Sequence, residues 1–161
     1  MTTSAPRFSA LDSDRRPPGP VILIVDDDAG DQVLIQEALQ ASQAGKKIYM
    51  VGDGEEALDY LNRTGRWASS PAPRPDLILL DLNMPRLGGR ELLPRLKSDP
   101  RWKTTPVVVF TTSNREDDVA YCYAAGASSY VQKPSDFDRF QEVLSQIESY
   151  WLRVSLSPPP P

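Results

Sequence analysis

Short runs of large apolar residues alternate along this chain with segments whose apolar residues recur every three or four positions. Val21-Ile22-Leu23-Ile24-Val25 and Leu77-Ile78-Leu79-Leu80 are continuous apolar runs that end abruptly in aspartates. Runs of this length, bounded by polar and turn residues, predict strands buried on both faces of a parallel sheet. Lys47-Ile48-Tyr49-Met50-Val51, Val107-Val108-Val109-Phe110 and Tyr130-Val131-Gln132 supply three more. A helix follows each strand. The first carries Val33, Leu34, Ile35, Ala38 and Leu39 behind a cap at Asp28 or Asp31, and the second opens at the Gly52-Asp53-Gly54 turn. The third lies around 90–97, where Pro94 is awkward outside the first turn, and the fourth spans 116–125 and stops at Gly126. The fifth runs over about 137–152, capped by Ser135 or Asp136. Its Phe137, Phe140, Leu144, Ile147 and Trp151 share one face.

Five strand–helix alternations predict an α/β fold: a doubly wound five-stranded parallel sheet with helices on both faces and right-handed crossovers. The flavodoxin-like strand order 2-1-3-4-5 is the favoured topology. Residues 1–20, rich in Ser, Arg, Asp and Pro, read as a disordered leader, residues 21–152 as the folded domain and residues 153–161 as a Pro-rich tail. The Pro/Ser/Arg-rich stretch 64–75 is longer than an ordinary connection and reads as a surface excursion.

Composition narrows the function classes. At 161 residues the chain is one domain, and its net charge of -4 argues against nucleic acid as the partner. No stretch reaches the roughly 18 apolar residues of a membrane span, and no apolar signal segment opens the chain. The single cysteine, Cys122, fits a reducing cytoplasm and reads as a small hydrophobe of the fourth helix. There is no histidine. That removes histidine-based acid–base catalysis, Ser-His-Asp triads and most zinc sites.

In the predicted topology, the loops that follow the strands share one edge of the sheet, where open α/β sheets hold their functional groups. Asp26, Asp27 and Asp28 reach that edge from the first strand and Asp81 from the third; Thr111-Thr112 and Lys133 come from the fourth and fifth. Converging carboxylates raise one another's pKa unless a cation stands among them. A hard divalent cation with oxygen ligands answers this, and Mg²⁺ suits a site of few carboxylates, water and a phosphate. An Asp nucleophile, a metal, a Thr hydroxyl and a Lys together describe phosphoryl transfer onto a carboxylate.

Four elements, Val25-Asp26-Asp27, Leu80-Asp81-Leu82-Asn83-Met84-Pro85, Phe110-Thr111-Thr112 and Tyr130-Val131-Gln132-Lys133-Pro134, make this chain resemble the receiver domain of bacterial two-component response regulators. Each element is weak alone; all four in order are a strong signature. The resemblance implies Asp81 as phosphate acceptor, Asp27 and the Asn83 carbonyl as direct Mg²⁺ ligands, and Asp26 holding a metal-bound water. It implies Thr111 and Lys133 as partners of the phosphoryl oxygens, with what is often a cis peptide at Lys133–Pro134. Tyr130 matches a switch aromatic that turns inward with Thr111. Asn83 and Ser113 match positions that tune phosphoryl lifetime. Departures at Gly88, where an Asp usually precedes the glycine, and at Pro94 bear on loop geometry.

A narrower resemblance rests on the loop before Arg74-Pro75-Asp76, Thr111-Thr112-Ser113, Glu116-Asp117-Asp118 and the ending Ile147-Glu148-Ser149-Tyr150-Trp151-Leu152. These look like regulators paired with bacterial and cyanobacterial phytochromes. This implies a stand-alone regulator that takes its phosphoryl group from a partner histidine kinase, a phytochrome being the type suggested. It signals by protein contact, since little chain follows the fifth helix to hold a DNA-binding output. It also implies a homodimer embraced by an arm of Tyr150, Trp151 and Leu152.

Plainer uses compete with each residue. The aspartate triplet could be a solvated helix cap, Asp81 a turn residue, Tyr130 a half-buried strand aromatic, and Trp151 a ring that packs back on its own domain. Two rival functions stand beside the receiver: a phosphate-independent interaction module and a haloacid-dehalogenase-type phosphatase. The phosphatase expects a second Asp two residues past the nucleophile, where this chain has Asn83.

Overall fold

The computed structural model describes residues 19–42 and 45–161. Five strands, β1 (Val21–Val25), β2 (Lys47–Val51), β3 (Leu77–Leu80), β4 (Val107–Thr111) and β5 (Ser129–Gln132), form one sheet in the order 2-1-3-4-5. All neighbours are parallel. The helices are α1 (Ala29–Ala41), α2 (Gly54–Asn62), α3 (Gly89–Ser98), α4 (Glu116–Ala124) and α5 (Phe137–Ser149). The flavodoxin-like topology expected from the alternation is the one observed.

Strand parity divides the core. Ile22, Ile24, Leu77, Leu79, Val108 and Phe110 point to the face covered by α1 and α5. Leu23, Val25, Ile78, Leu80, Val107 and Val109 point to the face covered by α2, α3 and α4. The three central strands are fully buried, which is why their sequences lack the polar alternation of a half-exposed strand. Phe110 meets Phe140 of α5 with ring centroids 5.3 Å apart, a tilted pair that adds about 1 kcal/mol beyond burial.

Asp28 caps α1, its carboxylate accepting the Asp31 N–H, and Asp136 caps α5 by accepting from Arg139. Gly126, at φ +103°, ends α4 in the left-handed conformation that a side chain would resist. Pro94 is not in the first turn of α3 but at its sixth residue, inside the helix. Its missing N–H frees the Arg90 carbonyl, and the Tyr121 hydroxyl of α4 donates to that oxygen at 2.8 Å. The helix tolerates the proline because a neighbour supplies the lost bond.

Several expectations are corrected. Phe137 is 48% exposed rather than part of the buried face of α5, whose burial begins at Phe140, against Phe110 of β4. Val143, which the spacing did not mark, is buried on that face. The α-helix stops at Ser149 and continues as a π-helical turn, Tyr150–Val154. The 64–75 excursion folds partly inward: it holds a 3-10 turn at Gly65–Trp67, and the Trp67 ring packs on Tyr60 and Tyr49. No cis peptide occurs among the described residues, so the Lys133–Pro134 bond is trans. Of the expected leader, residues 1–18 lie outside the described residues. In the tail, Ser157 and Pro158 line a shallow hollow with Arg74, Pro75, Thr105 and Pro106.

Candidate functional site

The register of the central strands assembles the site. Val25 pairs with Leu80, so the next residues, Asp26 and Asp81, emerge side by side from β1 and β3. Leu80 pairs with Val109, and Thr111 with Gln132, which brings the end of β4 beside Asp81 and Lys133 beside Thr111. The Lys133 N–H donates to the Thr111 carbonyl at 2.7 Å, extending the ladder by one bond. Asp26 and Asp81 follow Val25 and Leu80, so both point to the α1/α5 side, where the Lys133 ammonium lies 5.9 Å from the Phe110 ring centre.

Asp26, Asp81, Thr111 and Lys133 are all buried. Carboxylate oxygens of Asp26, Asp27 and Asp81 lie within 4.8 Å of one another, close enough to share one cation. All are hard oxygen donors, with an exposed Asp27 leaving room for water, so the set fits Mg²⁺. Lys133 Nζ donates to Asp26 Oδ2 at 2.6 Å, Asp31 Oδ2 at 2.8 Å and Asp81 Oδ2 at 3.1 Å. Burial pushes the Asp26 carboxyl up to about 6, against the pull of Lys133. Burial alone would lower the Lys133 pKa, yet its hydrogen bonds to Asp26 and Asp31 raise it. Lys133 thus favours the charged form of Asp26 while burial opposes it.

The Thr111 hydroxyl is buried with no hydrogen-bond partner. Such a group costs free energy and is normally satisfied. Here it stands at the end of β4, beside the strand that ends in Asp81. The turn below it is fixed from two sides. Ser113 Oγ donates to Asp118 Oδ2 at 2.6 Å, and the Tyr130 hydroxyl donates to the Ser113 carbonyl at 2.8 Å. Arg90 of α3 pairs with the same Asp118 and lies 4.2 Å from the Tyr121 ring centre.

The loop after β3 is closed by backbone. Leu82 N–H donates to Asp81 Oδ1 at 2.8 Å, and Gly89 N–H to the Leu82 carbonyl at 3.0 Å. Gly89 has no alternative: a Cβ there would come within 2.2 Å of the Asp81 carbonyl oxygen. Asn83 is exposed, and Tyr130 is half-buried with its hydroxyl already engaged.

The structure thus gathers Asp26, Asp27, Asp81, Thr111 and Lys133 at one edge. Tyr150, Trp151 and Leu152 stand apart from them: Trp151 and Leu152 pack against the chain's own core, while Tyr150 is exposed. One participant escaped the sequence reading, which weighed Asp31 only as a cap. No helical spacing could have signalled it, since Asp26 and Asp27 precede the first turn of α1.

Residues 22–145 match the family model of the response regulator receiver domain. The chain belongs to that family. It is 40% identical over 146 residues to the response regulator Rcp1 of Synechocystis sp., covering 91% of this chain and 98% of Rcp1. The crystal structure of the phosphorylated cyanobacterial phytochrome response regulator RcpA matches at 40% identity and a TM-score of 0.82, over 88% of this chain and 99% of RcpA. The Mn²⁺-bound form of Rcp1 matches at 39% identity and a TM-score of 0.80, over 87% of this chain and 99% of that one. Receiver domains are signalling domains, which removes the phosphatase rival. No helix among the described residues is long and apolar enough to cross a membrane.

Proposed function

We propose that Asp81 accepts a phosphoryl group from a phosphohistidine of a partner sensor kinase. The carrying observation is the arrangement about this carboxylate: Lys133 at 3.1 Å, two further aspartates within cation-sharing distance and, at the end of the adjacent strand, the unsatisfied Thr111 hydroxyl. An Asp81 oxygen attacks phosphorus, the P–O bond forms as the P–N bond breaks, and the leaving imidazole nitrogen takes a proton. The donor histidine must come from the partner, because this chain has none.

Asp26, Asp27 and Asp81, with the Asn83 carbonyl, would hold Mg²⁺, which supplies charge neutralisation between acceptor and donor. Thr111 and Lys133 bind the transferred phosphoryl oxygens. The Thr111 movement this requires reaches Ser113 and, through its carbonyl, the Tyr130 hydroxyl, biasing α4, β5 and α5 toward another packing. Hydrolysis of the aspartyl phosphate by water, with Asn83 and Ser113 flanking the site, resets the switch.

The likeness to RcpA, a phytochrome response regulator, supports a phytochrome-type kinase as the partner, and the single cysteine fits a reducing cytoplasm as the place. Exposed Tyr150, Val154 and Leu156 support a second copy of the chain as another partner, embraced by the arm that follows α5. The deciding experiment is intact mass after incubation with Mg²⁺ and acetyl phosphate. Wild type gains one phosphoryl group and Asp81→Asn gains none; equal gain by both places the acceptor elsewhere.

A further inference from the structure

We propose that Asp31 is a positioning residue that holds the Lys133 ammonium in the resting site and must release it before the ammonium can pair with a phosphoryl group on Asp81. This rests on the reading of Asp81 as acceptor. A lysine ammonium has three N–H donors, and here three carboxylates engage them: Asp26, Asp31 and Asp81. A new phosphoryl oxygen can therefore only displace one of these partners.

Burial decides which. The Asp26 side chain is 3% exposed, so losing the ammonium would leave a buried carboxylate stripped of both water and counter-ion. Asp81 is the residue that carries the incoming group. The Asp31 side chain is 28% exposed, so water can solvate its carboxylate as soon as the ammonium leaves. Asp31 is the exchangeable partner. Its backbone is fixed where α1 begins, because its N–H donates to the Asp28 cap at 2.8 Å. The side chain thus competes from a fixed point with any anion on Asp81. The competition sets how readily the site accepts a phosphoryl group.

The test is a titration of the full chain with beryllofluoride, a non-covalent phosphoryl mimic, at saturating Mg²⁺, reading bound fluoride by ¹⁹F NMR. Asp31→Asn removes the competitor and tightens binding about fivefold, the scale of a partly exposed ion pair. Asp31→Ala, which removes the oxygen altogether, tightens it likewise. Asp28→Asn is the control for charge alone: it deletes one unit charge from the same turn, keeps a good cap and has no bond to Lys133. It leaves binding within about twofold of wild type, since an exposed charge acts weakly at this range. Equal tightening by Asp28→Asn and Asp31→Asn would overturn the proposal, as would unchanged or weaker binding by both Asp31 variants. Wild type that binds no beryllofluoride with Mg²⁺ present would overturn the acceptor reading itself, and the proposal with it.

Discussion

Replacing Lys133 by Met separates the charge role of this residue from its packing role. The ammonium is the counter-ion of three carboxylates, two of them, Asp26 and Asp81, buried. Met keeps most of the apolar stem against Phe110, so the main loss is charge. Breaking a buried pair by removing one partner costs about 3–5 kcal/mol. A second route gives the same size. The emptied site relieves itself by binding a proton on Asp26, whose ordinary value is 3.8 and which burial has already lifted to about 6. Holding one such carboxyl neutral at pH 7 costs about 4 kcal/mol, and at pH 5 only about 1.5 kcal/mol. The sign follows from linkage: a carboxyl whose folded pKa is raised binds more protons folded than unfolded, so the variant loses stability as pH rises from about 4 toward neutrality. Urea unfolding of wild type and Lys133→Met by circular dichroism, at pH 5 and pH 7, measures it. The expected gap at pH 7 is about 4 kcal/mol, equivalent to a fall in Tm of roughly 10 °C for a chain of this size. It shrinks by more than half at pH 5. Millimolar Mg²⁺ at pH 7 raises the Tm of the variant more than that of wild type, because a cation on Asp26, Asp27 and Asp81 replaces the lost one. A gap of equal size at both pH values, insensitive to Mg²⁺, would refute the reasoning and assign the loss to packing.

Tyr121→Phe strands the Arg90 carbonyl that Pro94 left free, and should lower stability by about 1 kcal/mol in a thermal melt. Restoring the helix's own donor with Pro94→Ala should make the same Tyr121 change nearly neutral. Gly89→Ala drives a Cβ into the Asp81 carbonyl, so it should cost more than about 1 kcal/mol and slow phosphorylation by acetyl phosphate in the mass assay. Tyr150→Asp, at an exposed position of the arm, should shift the chain toward monomer by light scattering without lowering its Tm; an unchanged dimer would remove the arm from the interface.

Much of the site was legible because strand ends are written plainly in sequence. A run such as Leu77–Leu80 must be buried, and a charge directly after it must lie at an edge. Two such runs, and the lysine that follows β5, put Asp26, Asp81 and Lys133 on one edge of a parallel sheet, and the strand register then brings them together. Asp31 was not legible in the same way. A helix position's reach across the sheet depends on where the helix begins and over which face it lies, and only the Asp28 cap and the packing of α1 beside β1 settle both. Phe137 misled for a related reason: periodicity marks a face but not where along the helix its burial begins.

The sequence by itself determined the element order, the strand edge and the chemical kinds of group gathered there, because hydrophobic runs, turn residues and charged ends are local facts. Only the tertiary structure decided that Lys133 is saturated by three carboxylates, that Thr111 keeps a hydroxyl in reserve, and that Tyr121 makes Pro94 tolerable. The first and last are contacts between residues far apart in the chain, and all three are fixed by strand register and helix packing rather than by any neighbour in sequence.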